Sequence, residues 1–471
     1  VMNEAAGVAD GVRREVETVV KTQAQRIVND MDLVKREDFD ALRELVQVQG
    51  EEIEALHTRY RLQGEAVVHV HAGPPHQTLL GLPCPTISLF AWEFDSLPSV
   101  VWDEDPRNDW RHVFAHIQGA IATSREAAEL TRQAARAGFP VIALPAPIWD
   151  RYASQGSASG HPVVLTTRSF PFSGTVIDSP VLGLSADGLV RKPAPAPEAT
   201  SMEPAPPAPS AARKAWQRSV ELFKGWWREV RPAASIRPQP QAPLQDVAVE
   251  GVVYTTVLNP ADGRKNWVDI ITAFCWAFKN RSDATLIVKM THHDLEFYRV
   301  VLMTLLSRLA PFKCRVVVLH GFLDDEQYRS LIDASTYYVN ASSGEGLCLP
   351  LMEFLSGGKP AIAPIHTAMA DYLDDEIAFP LLHGLEPTCW PHDPTGMLFT
   401  HRHRLNWQSL MEAFRASHQL ALERSDDYRR MSGAAHGRMR DFAACRQVAP
   451  SLEAFLCEVV DHARAHEELR A

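Results

Sequence analysis

Two glutamates stand eight residues apart in the stretch GEGLCLPLMEFLSGGKP, residues 344–360. Glu345, beside Gly344, falls in a glycine-flanked loop after the strand-like run TYYVNAS. Glu353 falls one turn into a helix that opens near Pro350, a residue suited to a first turn because its missing N–H would be unbonded there anyway. Such a helix start leaves the backbone N–H groups of about Leu347, Cys348 and Leu349 free and carries the positive end of the helix dipole. Anions bind at helix starts, and open α/β sheets bind ligands at the carboxyl edge, where this loop lies. Glu353, facing the same crevice, can accept hydrogen bonds from a diol. Two carboxylates beside a helix end therefore suit a ligand that carries both hydroxyls and phosphates.

The elements that must position these groups are legible as alternation. From Val252 the chain reads GVVYTTVL, a helix over 266–280, ATLIVKM, a helix over 294–309, CRVVVLHG, a helix over 324–334, TYYVNAS, a helix over 350–357, and KPAIAP. Apolar runs of strand length separated by helical periods predict a parallel sheet with helices on its faces. An earlier stretch, AVVHVHAGPP, CPTISLFAWEF and GAIATS, reads the same way, with Ser124 capping the helix after it and Gly138 ending that helix. The whole chain has 471 residues, 46% hydrophobic and 22% charged, the composition of an ordinary globular protein with room for two or three domains. A net charge of −11 argues against general nucleic-acid binding, because no basic excess is there to neutralise phosphates. Seven scattered cysteines without a CxxC pair read as reduced thiols, and a cytoplasmic location is expected.

The Glu-x7-Glu spacing, with GLCLP between the glutamates and GGKPAIAP after them, closely resembles the signature of retaining glycosyltransferases of GT-B fold, family-4 type. The resemblance covers about Val252 to Leu373, and the helical tail fits it. It implies an α/β fold of two Rossmann-like doubly wound domains, the first shortened, with the acceptor site on the first and a nucleotide diphosphate-sugar donor on the second. In that family the first glutamate contacts the donor sugar and the second the ribose, which falls to Glu345 and Glu353. An Arg/Lys pair after the first strand of the donor domain holds the diphosphate, and Arg264 and Lys265 in NPADGRKNW stand there. Cations at that point stabilise charge that grows on the leaving phosphate, so no metal or other cofactor is expected. The resemblance seats the base near His320 and Gly321. His366 and Thr367 in IHTAMADY follow the next strand and could approach the sugar or diphosphate. On the first domain it places a histidine near the cleft, His71 or His76, and brings Glu93 of FAWEFDSLP to its lining. The acceptor expected is a glycan, a lipid-linked sugar or a protein.

Residues 1–58 have another texture. Phe39, Leu42, Val46, Gln49, Ile53 and Leu56 follow the spacing of a coiled-coil seam with one polar layer. The run MDLVKREDFDALRELVQVQGEEIEAL resembles the membrane-fusogenic, ubiquinone-accessory coiled-coil proteins, which implies a homo-oligomer near a membrane. The domains expected are therefore 1–58, a coiled-coil oligomerisation segment; 65–150, the incomplete acceptor domain; 151–245, an insertion with a Pro/Ala-rich linker; 246–400, the nucleotide-sugar domain; and 401–471, terminal helices. Within the insertion, Trp216, Val220, Phe223, Trp227 and Val230 form one helical face flanked by Arg and Lys, a pattern that suits either a membrane surface, peripheral on the inner membrane, or a domain junction. The functional alternative is a catalytically weak GT-B scaffold displayed on a membrane-associated coiled-coil oligomer.

Overall fold

Four short strands make the first sheet: β1 (His69–Ala72), β2 (Thr86–Phe90), β3 (Gly119–Ala122) and β4 (Val141–Ala143), all parallel and adjacent in that order. β3 is buried along its whole length, as expected for a strand covered on both faces. Helices α1 (Trp110–His116) and α2 (Arg125–Ala134) make the crossovers into β3 and β4. The Ser124 hydroxyl accepts from the Ala127 N–H and so caps α2. Chain order and spatial order coincide, so this sheet winds in one direction only; it is the shortened Rossmann-like unit. The computed structural model describes residues 52, 55–156, 167–183, 244–291, 295–390, 393, 396 and 398–468. The coiled-coil seam of residues 1–58, apart from its last residues, the Pro/Ala-rich run and the aromatic helix at 213–231 lie outside the described residues.

Helix α3 (Trp149–Gly156) leaves the first domain and packs on the second, where the Trp149 indole donates to the His436 carbonyl at 3.2 Å. Next come β5 (Arg168–Ser173), β6 (Thr175–Asp178) and β7 (Leu244–Val249). Of these, β5 and β6 lie within the segment 151–245, an insertion and linker by the sequence reading, and β7 begins at its end. β5 pairs antiparallel with β7, and Phe170 and Phe172 of β5 are fully buried. The missed strands sit beside proline-rich sequence that gives no strand period of its own.

The second sheet is built from β8 (Val252–Leu258), α4 (Trp267–Ala277), β9 (Ala284–Met290), α5 (Leu295–Leu309), β10 (Arg315–His320), α6 (Asp325–Ala334), β11 (Tyr337–Val339), α7 (Leu349–Ser356), β12 (Ala361–Pro364) and β13 (Ala378–Leu381). Its order is β13-β12-β11-β8-β9-β10-β6, parallel except for the edge strand β6. The chain builds outward from β8 to β10 and then returns to the other side of β8 as β11. The strand order therefore reverses between β8 and β11, and their carboxyl ends form the switch point where doubly wound sheets bind ligands. The architecture is the expected one of two Rossmann-like parallel-sheet domains.

Two connections tie the domains together. After β13 the chain makes a long antiparallel hairpin, β14 (His383–Cys389) and β15 (Phe399–Leu405), here called the arm. Its Trp390 and Leu398 enter the core of the first domain with Trp92, Trp110 and Phe114. Three helices follow: α8 (Trp407–Glu423), α9 (Ser425–Ala443) and α10 (Cys445–Glu468). α10 returns to the first sheet, where Val448, Phe455 and Val459 pack on Ile87 and Ile121.

Candidate active site

The loops after β8 and β11 meet at the switch point. Asp262 starts a 3-10 turn, Gly263–Lys265, by accepting from the Arg264 N–H, and so presents Arg264 and Lys265 to the loop after β11. There Glu345 is 3% exposed, a carboxylate removed from water. Lys265 Nζ donates to its Oε1 at 2.6 Å, and Asn340 Nδ2 donates to the same oxygen at 3.1 Å. Arg264 stands 3.7 Å from Oε2, donates to the Gly344 carbonyl at 3.0 Å, and pairs with Glu93 at 3.2 Å and Asp262 at 2.8 Å. Burial alone would raise the Glu345 pKa; Lys265 and then Arg264 outweigh it and hold the carboxyl below its usual range. Glu93 has the opposite balance: burial comes first, Arg264 only partly offsets it, and its carboxyl is pushed up.

The site is shared between domains. A side-chain carbon at Gly344 would lie 2.8 Å from the Glu93 carbonyl, and one at Gly346 2.8 Å from Ala91 Cβ and 2.9 Å from the Trp92 nitrogen. Only glycine lets the loop after β11 approach the first domain so closely. Thr123 adds a hydrogen bond to the Gly346 carbonyl at 2.6 Å. A cavity of about 240 Å³, counted to its open mouth, lies at the carboxyl ends of β8 and β11 against Val257, Lys265, Tyr338, Asn340 and Cys348.

A second layer braces the loop. The Glu345 N–H donates to Thr367 Oγ1 at 3.0 Å, and Thr367 Oγ1 lies 3.2 Å from His366 Nδ1. His366 Nε2 meets the Ser342 carbonyl at 3.1 Å, so Nε2 carries the proton and Nδ1 accepts from the threonine hydroxyl. Burial, then His403 and His383, push the His366 pKa down to about 2, which keeps the ring neutral. Both ring nitrogens are thus used within the protein, and His366 acts as a brace where the sequence placed a ligand contact. Thr367 itself has φ +48°, an unusual left-handed conformation for a β-branched residue, held beside the site by these bonds.

The helix end is where the sequence placed it. Cys348, buried and at φ +63°, precedes Leu349, the first residue of α7; its thiol takes a bond from Asn340, and burial raises its pKa. The Leu347 carbonyl accepts from Tyr372 and Leu349 is partly exposed. Glu353 lies apart from the Arg264–Lys265–Glu345 group. It faces α6 and α3, accepts from the Tyr328 hydroxyl at 2.6 Å, and is also hydrogen-bonded to Tyr152. Burial raises its pKa, and Tyr328, Arg151 and Tyr152 only partly offset it. Gly321 sits against the β5–β6 corner, where a side-chain carbon would lie 2.7 Å from the Ser173 carbonyl, and Phe322 beside it is 90% exposed. On the first domain, His71 is half-buried at the end of β1, and burial lowers its pKa. His76 instead accepts from the Trp110 indole at 3.4 Å, within the first domain. The sequence reading did not single out Asp262, Asn340, Ser342, Tyr328 or Tyr152. Each is a common polar residue whose partner is distant in sequence or set by a turn, which leaves no spacing signal.

Residues 1–61 match the family described as "Membrane fusogenic activity". No curated protein matches the chain. Among solved structures, it is similar to α,α-trehalose 6-phosphate synthase from Burkholderia multivorans (TM-score 0.49, 11% identity, covering 92% of this chain and 79% of that one). Sucrose-phosphate synthase from Thermosynechococcus elongatus gives a TM-score of 0.45 at 14% identity, with 90% and 80% covered. Anabaena HepE in complex with UDP and glucose gives 0.44 at 11%, with 80% and 72% covered. No described helix is long and apolar enough to cross a membrane.

Proposed function

We propose that the protein is a glycosyltransferase that moves a sugar from a nucleotide diphosphate-sugar to a glycan, lipid-linked or protein acceptor, with retention at the anomeric carbon. The observation that carries this reading is Glu345, a buried carboxylate held ionised by Lys265 and Arg264 at the switch point, in a cleft closed by the other domain. When the sugar leaves, negative charge grows on the diphosphate. Lys265, Arg264 and the start of α7 stand where they would stabilise it, in a site with little water. Glu345 would then turn from its cations to the sugar hydroxyls, and His71 would line the acceptor side. Incubation with a panel of nucleotide sugars, followed by release of free nucleoside diphosphate, tests the reading. No binding and no release with any donor would end it.

Glu353 is assigned to the ribose. Its contacts with Tyr328 and Tyr152 fix the carboxylate and leave it further lone pairs for a diol. Glu353→Gln is expected to weaken nucleoside diphosphate binding by about 1–3 kcal/mol, the range for a hydrogen bond to a charged group, with the fold retained. Calorimetric titration checks it; unchanged affinity would move the ribose elsewhere.

A second reading, a catalytically weak scaffold, draws support from the first sheet, which has four short strands among the described residues. Donor binding without donor consumption would favour it. In both readings residues 1–58 self-associate and bring the chain to a membrane surface. The full chain is expected to be an oligomer at micromolar concentration by light scattering, and a 60–471 chain a smaller species; a monomeric full chain would remove that role.

A further inference from the structure

Lys289 belongs to no motif: it lies at the carboxyl end of β9, is 3% exposed, and forms a hydrogen bond from Nζ to the Met290 carbonyl at 3.2 Å. Among the described residues no carboxylate pairs with it. Its register partners are Val257 on β8 and Leu319 on β10, and with Ile287 they share the sheet face covered by α6 and α7. That face matters. The Arg264–Lys265–Glu345 group lies at the β8–β11 switch point, beside Val257, and Gly321 follows β10 on the far side of β9. A nucleotide stretched between them passes the carboxyl end of β9.

The charge count points the same way. Glu93, Asp262 and Glu345 already surround Arg264 and Lys265, so two cations meet three carboxylates before any phosphate arrives. An incoming diphosphate needs a cation not yet committed. An ammonium that among the described residues is held by a carbonyl alone is costly to bury, and burial lowers its pKa to about 8, still protonated in most molecules at neutral pH.

We infer that Lys289 is a third cation of the donor site and takes the phosphate on the nucleoside side of a nucleoside diphosphate. This rests on the function proposed above. The test uses the full chain, wild type and Lys289→Met, titrated with UDP, GDP and ADP, and then with the monophosphate and free nucleoside of the base that binds. Lys289→Met is expected to lower di- and monophosphate affinity at least tenfold, to leave nucleoside affinity unchanged, and to raise the Tm of the free protein, because methionine fills the site without a buried charge. A residue serving only the fold would lower the Tm and leave the phosphate increment intact. Equal diphosphate affinity in both proteins, or an equal loss for the nucleoside, overturns the inference alone. A wild type that binds none of the three diphosphates overturns it together with the donor reading.

Discussion

Lys265→Met is expected to lower sugar transfer at least ~100-fold and to destabilise the fold by about 3–5 kcal/mol at neutral pH. Both effects have one origin. Lys265 closes on Glu345 at 2.6 Å, where the carboxylate has almost no water, and Arg264 at 3.7 Å is divided among Glu93, Asp262 and Glu345. Removing the nearer cation leaves a buried negative charge with Asn340, Ser342 and a shared guanidinium. The pH dependence follows from the sign of the shift. In the wild type the Glu345 pKa is lowered, so its contribution is present above the ordinary carboxylate range and is lost as pH falls through the lowered value. In the variant, burial dominates and the pKa rises above the unfolded one. The variant's deficit should therefore shrink as pH is lowered from 7, because its Glu345 takes up a proton while the pH is still above the ordinary carboxylate range. Adding Glu345→Gln should recover most of the stability, since an amide needs no cation, and none of the transfer. Denaturant melts of the four proteins of that cycle, with rates alongside, measure it. Wild-type stability and rate in Lys265→Met would show that the pair carries neither role.

How far the sequence revealed this site depends on how local each signal is. The loops after β8 and β11 were legible because glycine and proline punctuate them and because βα alternation places both at one sheet edge. The sequence expected a helix over 350–357, and α7 spans Leu349–Ser356. Glu93 was named as a cleft residue, but its ion pair with Arg264 joins residues 171 positions apart by number, 93 and 264, and no periodicity reports such a contact. His366 has the same limit: its sequence position is right beside the site, yet only its folded contacts, with the Ser342 carbonyl and the Thr367 hydroxyl, show that the ring is used up. The arm was unread for a different reason. HGLEPTC and FTHRHRL are mostly exposed strands whose apolar anchors, Trp390 and Leu398, lie at the turn end, so neither carries the half-buried alternation of a sheet strand.

Trp390→Ala is expected to cost about 3–5 kcal/mol, the range for emptying a buried tryptophan site, and to loosen the first domain before the second. The indole is 6% exposed and lies 5.7 Å from the Trp92 ring and 5.5 Å from the Trp102 ring, both of the first domain. The rest of the arm is tied at both ends. Asp95 accepts from the Thr400 hydroxyl at 2.9 Å and the His401 N–H at 3.0 Å, and the His403 N–H donates to the Ser343 carbonyl at 2.8 Å, two residues before Glu345. A side chain on the arm thus holds the first domain against the loop after β11 by its own packing. Without it, the contact of Gly344 and Gly346 with Ala91–Glu93 loses a clamp, and amide exchange should quicken over residues 86–123 while β8 to β10, buried in another core, stay protected. Phe399→Ala is the control: that ring is 72% exposed on the same arm, and its loss should change stability by less than about 0.5 kcal/mol. A tryptophan variant as stable as the phenylalanine one, or one whose exchange quickens equally across β8 to β10, would mean that the arm rests on the first domain without holding it.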